Sequence, residues 1–155
     1  MKFKTIAISD TLTVRELDLT ELTQAYPVIS QLRTHLSLAE YLALAGEMKA
    51  NAYQVLCLFE GEQIVAYAGF ARGVNLYYGR HVWVYDLVTD QAKRGRGYGR
   101  VLLSYVEDLA RDNSLECIAL SSRFIMKDAH WFYENAMNYD KIGYVFKKDL
   151  QGTQN

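Results

Sequence analysis

With 155 residues, the chain is long enough for one compact domain with a real core and too short for two comfortable ones. Seventeen basic and 18 acidic residues leave a formal net charge of −1. That excludes the broad basic excess that a nucleic-acid footprint requires. No run approaches the roughly 18 uninterrupted apolar residues of a membrane span. The first ten residues also lack the apolar stretch of a secretory signal, so the expectation is a soluble, cytoplasmic protein with no membrane partner. There is no internal repeat, linker or low-complexity stretch, and Pro27 is the single proline, so residues 1–155 read as one domain. Cys57 and Cys117 lie inside apolar runs and read as small core residues. No ligand set is spaced for a metal.

In chain order, residues 13–19 alternate weakly, as a first strand would. Residues 20–34 have a helical pattern, with Pro27 tolerated near a helix start or marking a kink. Ser37 and Glu40 have capping-box spacing and open a helix predicted to run to about residue 49. Residues 53–60 (YQVLCLFE) form a buried-type strand, Gly61-Glu62 a tight turn, and 63–71 (QIVAYAGFA) the returning hairpin partner. After a turn at 75–80, residues 81–88 (HVWVYDLV) are a third strand, rich in aromatic and β-branched side chains. A loop over 89–96 leads into an amphipathic helix over about 97–113, with Val101, Leu102, Tyr105, Val106 and Leu109 on one stripe. Residues 117–121 are predicted as a short strand, 127–135 as a helix and 142–148 as a closing strand. This order implies an α+β, or mixed-sheet α/β, fold with a glycine-rich turn at a strand-to-helix junction.

That junction, residues 86–100, is the most informative stretch. The first N–H groups of a helix have no intrahelical partner, and the helix dipole adds positive potential at the same end. Glycines remove the side chains that would hold phosphate oxygens away, so a pyrophosphate is the natural occupant. Lys93, Arg94, Arg96 and Arg100 fall within eight residues of an otherwise neutral protein, which suits a compact anion. A Walker A loop is excluded, because no Gly-Lys-Ser/Thr is present. The dinucleotide fingerprint also fails, since Gly95, Gly97 and Gly99 are spaced by two.

What fits is Arg/Gln-x-x-Gly-x-Gly/Ala, met by Arg94, Gly97 and Gly99. This resembles the acetyl-CoA pyrophosphate loop of GNAT-type N-acetyltransferases. The resemblance implies a GNAT acyl-CoA N-acyltransferase fold: a central, mostly antiparallel twisted sheet flanked by about four helices. It implies that the N–H groups of Arg94, Gly95, Arg96, Gly97, Tyr98 and Gly99, with Arg100 close by, bind the pyrophosphate of acetyl-CoA. It further implies that the preceding strand splays from its neighbour, so that Leu87, Val88 and Thr89 pair with the pantetheine arm. In that arrangement the N–H of Leu87 polarises the thioester carbonyl. The family usually has a proline where this chain has Gln91.

Similar proteins carry a tyrosine within A-x-x-F-Y-E, matched here by Ala129-His130-Trp131-Phe132-Tyr133-Glu134. The resemblance therefore implies Tyr133 as the general acid that protonates the leaving thiolate. Two departures stand out: Met126 takes the place of a frequent asparagine, and Asn138-Tyr139 replaces Gly-Phe with one extra residue. Asparagine tolerates a left-handed turn best among non-glycine residues. For the base, strand alternation puts Trp83, Tyr85 and Leu87 on one face and Val84 and Asp86 on the other. Asp86 is the chemically better base, but it has the wrong parity unless the strand bulges; a structural acceptor and a water relay are the alternatives.

The regions expected to choose the acceptor contain Leu32, His35, Leu36, Tyr41, Tyr77, Tyr78 and Tyr144, an aromatic and weakly acidic set. A small molecule or peptide with a primary amine fits better than a polycation. The expected activity is acetyl transfer from acetyl-CoA to such an amine by direct attack in a ternary complex, without a metal. The alternative is a non-catalytic acyl-CoA-binding sensor or interaction module on the same fold. Homodimers are common among similar proteins, and a dimer is expected by that analogy alone.

Overall fold

A computed structural model describes residues 1–152. The chain divides into two compact units, Met1–Leu120 and Ser121–Asn155.

The first unit is built on a six-stranded sheet whose spatial order follows the sequence. Its strands are β1 (Ile6–Ala7), β2 (Leu12–Glu16), β3 (Tyr53–Glu60), β4 (Gln63–Asn75), β5 (Gly79–Thr89) and β6 (Cys117–Leu120). Neighbours are antiparallel except β5 and β6, which are joined through a helix and run parallel. β3 matches its predicted limits to the residue, and Gly61 closes the hairpin with φ +62. β4 and β5 extend into the segment expected to be a turn. There the Asn75 side chain accepts the N–H of Tyr77 at 3.0 Å and of Tyr78 at 2.6 Å, so only a tight tip remains. The two-residue β1 carries too little pattern to read from sequence.

Both faces of the sheet are covered, which is why β3 and β4 are nearly continuous apolar runs. On one face Tyr53, Val55, Cys57, Phe59, Tyr67 and Val88 pack with Leu22, Ala25, Val28, Ile29, Tyr41 and Ala45. Those partners belong to a 3-10 helix (Leu19–Ala25), α1 (Tyr26–Ile29) and α2 (Leu38–Ala50). The single helix expected over residues 20–34 is thus two short pieces. Pro27 sits in the first turn of α1, where its missing N–H has no helical acceptor to lose. The expected capping box is present: Ser37 Oγ accepts the Glu40 N–H at 3.2 Å, and Glu40 Oε2 accepts the Ser37 N–H at 2.8 Å. The alternate residues Leu56 and Leu58, both fully buried, point to the opposite face. There α3 (Tyr98–Asp112) lies against β3, β4 and β5, with Leu102, Leu103 and Val106 fully buried. Burying each such side chain is worth about 2 kcal/mol.

In the second unit α4 (Lys127–Trp131) continues into one turn of π-helix, Phe132–Ala136. The chain then leaves through Asn138 in the left-handed region, φ +57, as its side chain permits. The strand predicted over residues 142–148 is not formed. No strand lies among the described residues of this unit to satisfy its backbone, and Ile142, Tyr144, Val145 and Phe146 are exposed.

Candidate active site

After β5 the chain passes Asp90, makes a 3-10 turn over Gln91–Lys93, runs extended through Arg94 and enters α3 at Gly97. Gly95 and Gly97 have φ of +80 and +78, and a Cβ placed on either would meet nothing within 4 Å. Backbone conformation, not crowding, therefore requires glycine at both places, and the space above them stays open. The first helical N–H with an intrahelical acceptor is that of Val101, to the Gly97 carbonyl at 3.0 Å. The N–H groups of Tyr98, Gly99 and Arg100 precede it and have none. No side chain caps this end, and no acidic residue lies in its first turn. Arg94 and Arg100 are exposed, whereas Lys93 and Arg96 lie 2.7 and 3.8 Å from the Glu60 carboxylate. The Lys93 ammonium holds the Glu60 carboxyl below the usual carboxylate range. The site is chemically suited to a compact, multiply charged anion.

The end of β5 is paired on one side only. Its pairing with β6 stops at Val84–Leu120, while pairing with β4 continues to Thr89–Ala66. The Asp90 N–H donates to the Val65 carbonyl at 2.8 Å. Backbone groups alternate in direction along a strand, so Val88 also faces β4, while Leu87 and Thr89 present N–H and C=O toward the other edge. Among the sequence-predicted trio, Leu87 and Thr89 thus have outward backbone groups. The Val88 N–H faces β4, and its side chain is buried among the helices.

β5 does bulge. Val84 pairs with Phe70 and Asp86 with Gly69, leaving Tyr85 as an extra residue. The insertion reverses the parity expected from simple alternation: Asp86 shares a face with Trp83, and Leu87 lies on the opposite one. Asp86 is buried on the helix-covered side. Its Oδ1 accepts from Arg33 Nε at 2.7 Å, and its Oδ2 accepts from the Tyr53 hydroxyl, also at 2.7 Å. A second Arg33 nitrogen donates to the Tyr85 carbonyl at 2.6 Å. The Tyr53 hydroxyl lies 3.0 Å from that of Tyr67, which lies 3.2 Å from that of Tyr41. Burial, above all, pushes the Tyr41 phenol up to about 12 and those of Tyr53 and Tyr67 well above the usual tyrosine value. A Cβ on Gly69 would stand 1.9 Å from the Tyr53 hydroxyl oxygen, so glycine is what lets that hydroxyl cross β4 to Asp86.

Tyr133 lies in the second unit, in the π-helical turn, against Phe132 and Tyr139 at ring distances of 5.3 and 5.9 Å. Burial raises its phenol to about 12. Its carbonyl accepts the Tyr139 N–H at 2.8 Å, closing the turn through Asn138.

Sequence reasoning missed Arg33, Tyr53, Tyr67, Glu60 and Gln31. One signal was available: a glycine inside an apolar strand, Gly69, marks a close approach. Nothing local marks Arg33 or Gln31 for these contacts, since Asp86 and Asp90 lie more than 50 residues away in sequence. Among the described residues no group of three or more His, Cys, Asp or Glu could hold a metal ion, and no helix is long and apolar enough to cross a membrane.

Residues 14–139 match the profile of the Acetyltransferase (GNAT) family. An uncharacterized N-acetyltransferase of Bacillus subtilis (strain 168), YhdJ, is 38% identical over 131 residues, which cover 84% of this chain and 92% of that protein. Among solved structures, an aminoglycoside N-acetyltransferase in complex with CoA superposes with a TM-score of 0.79 at 13% identity, covering 95% of this chain and all of that one. A Trypanosoma brucei acetyltransferase gives 0.73 at 22% identity, over 90% of this chain and 99% of the other. The described residues, with a six-stranded, mostly antiparallel sheet and four α-helices, share the fold of these neighbours. By profile and by kinship, the chain belongs to the GNAT acetyltransferase family.

Proposed function

We propose that this chain transfers the acetyl group of acetyl-CoA to a primary amine of a small molecule or peptide, by direct attack within a ternary complex, and that its 155 residues act as one catalytic domain. The carrying observation is the uncapped N-terminus of α3, with Gly95 and Gly97 in the left-handed region, directly after a strand end whose outer edge is unpaired. The N–H groups from Arg94 to Gly99 would hold the pyrophosphate, with Arg94 and Arg100 adding charge. Outward backbone groups of Leu87 and Thr89 would pair with the pantetheine arm, Val88 completing that strand segment. The Leu87 N–H would meet the oxygen on which negative charge develops.

As the C–N bond forms and the C–S bond breaks, Tyr133 gives its proton to the departing thiolate. Burial raises this phenol and weakens it as an acid, so the role rests on its place in the A-x-x-F-Y-E motif. The amine's proton leaves through water. Asp86, with both oxygens already engaged, is the candidate base only if Arg33 or Tyr53 releases it. We place this activity in the cytoplasm, as the sequence reading expects.

An open depression of about 290 Å³ is the place we assign to the acceptor. It is lined by Leu44, Glu47, Met48, Tyr53, Ala71 and Tyr85, among others, on the face that Asp86 occupies. One carboxylate beside apolar and aromatic walls suits an amine with a single cationic head and an apolar body. It does not suit the polycation that an aminoglycoside is.

Calorimetric titration with acetyl-CoA tests the reading, beside a Gly97→Glu variant checked by circular dichroism for an intact fold. Micromolar binding should be abolished in the variant; a wild-type protein that binds no acetyl-CoA overturns the proposal. The engaged carboxylate of Asp86 favours a second reading, a non-catalytic acyl-CoA sensor. Tyr133→Phe separates the two: turnover should fall about 100-fold or more with acetyl-CoA affinity retained. A sensor shows no wild-type turnover with any amine.

A further inference from the structure

The root of the glycine loop is held by a residue far away in sequence. Gln31, in the turn after α1, accepts the Gln91 N–H on its Oε1 at 2.8 Å. Its Nε2 donates to Asp90 Oδ1 at 3.3 Å and to the Pro27 carbonyl at 3.1 Å. Both hydrogens of the amide and its oxygen are therefore committed. Asp90 is in turn fixed to the sheet through Val65, and its Oδ1 also accepts the Ala92 N–H at 3.1 Å. The side chain of Gln31 thus joins the helix-covered face to the two residues from which the loop departs.

We propose that Gln31 is a positioning residue for this loop: it fixes the departure of the chain at Asp90 and Gln91, so that the N–H groups of residues 94–99 converge before a ligand arrives. The proposal rests on the reading that the loop holds a pyrophosphate, and its physical content is preorganisation. Donors already aimed at one point lose less freedom on binding than donors that must be gathered. The contact is made to a backbone N–H, so the identity of residue 91 matters only through that hydrogen. Position 91 opens a 3-10 turn, and Asp90 before it is extended, with φ −48 and ψ 128. Proline fits such a place: it locks its own φ, removes the donor and prefers an extended predecessor. Proline at 91 should therefore stiffen the loop root without Gln31.

The test uses the full chain, as wild type, Gln31→Ala, Gln91→Pro and the double variant. Amide hydrogen exchange without ligand and acetyl-CoA affinity are read in parallel. Gln31→Ala should speed exchange over residues 92–97 alone and weaken acetyl-CoA binding about fivefold, with kcat at saturation little changed. Gln91→Pro should bind as wild type does, and the double variant should recover to within about twofold of it. Unchanged exchange in Gln31→Ala overturns the positioning role, whatever the ligand does. Faster exchange with unchanged affinity, or a double variant as weak as Gln31→Ala, overturns it too. If the wild type binds no acetyl-CoA, the pyrophosphate reading fails, and the exchange measurement still decides whether Gln31 holds the loop.

Discussion

At the glycine loop the protein leaves polar groups without partners, whereas a few residues upstream, around Asp86, it engages them. The N-terminus of α3 has three N–H groups without intrahelical acceptors and no cap, above two exposed glycines. Asp86 has a guanidinium on one oxygen and a phenol on the other, with two further tyrosines hydrogen-bonded behind. Orphan donors in an open place await something from outside. A satisfied, buried network holds something in position. This contrast supports the proposal that the loop binds the ligand while the Asp86 network braces the strand leading into it.

The contrast can be broken at Gly69. Gly69→Ala would drive a methyl group into the Tyr53 hydroxyl, 1.9 Å away as built, and dismantle the brace. The expected cost is roughly 3 kcal/mol, or about 9 °C in Tm, read by thermal denaturation. A variant as stable as wild type would show that the network braces nothing.

Asp86→Asn sharpens the division. As a brace residue it should lose about 1–2 kcal/mol of stability and keep kcat within about threefold. A loss of about 100-fold in kcat, with the acid limb of the pH profile removed, would make Asp86 the base and the network catalytic.

The smallest effect is a titration. Burial raises Tyr41, Tyr53, Tyr67 and Tyr133 above the ordinary phenol value of 10.0. Their neutral forms are favoured in the folded state, so the stability they contribute is complete below pH 10.0 and is lost as pH rises through the folded values. Phenolate absorbance should show four phenols of the folded protein ionising only above pH 10.0. Absence of that delayed phase in the folded protein would contradict the burial of these four phenols.

What could be read from the sequence was what neighbouring residues decide. β3 is bounded by its own apolar run and by Gly61, the Ser37 cap by residues three apart, and α3 by its stripe and glycines. The loop's glycines and its junction with α3 were legible for the same reason, since these parts are contiguous. The brace was not, because Arg33, Tyr53, Tyr67 and Asp86 meet only through the sheet. The bulge at Tyr85 depends on the register with β4, which alternation along β5 alone does not contain. The predicted final strand failed on similar grounds: residues 142–148 have a suitable pattern, but a strand needs a neighbour.

Tyr85 has one more consequence. It is supernumerary to the pairing, since Val84 and Asp86 already meet consecutive residues of β4. Its side chain is about half exposed and lines the open depression. The strand pairing does not depend on what that side chain is, and its ring meets that of Tyr53 edge-on at 6.0 Å. If the depression takes the acceptor, as proposed above, a change at this position would alter the acceptor while the strand register stays as it is.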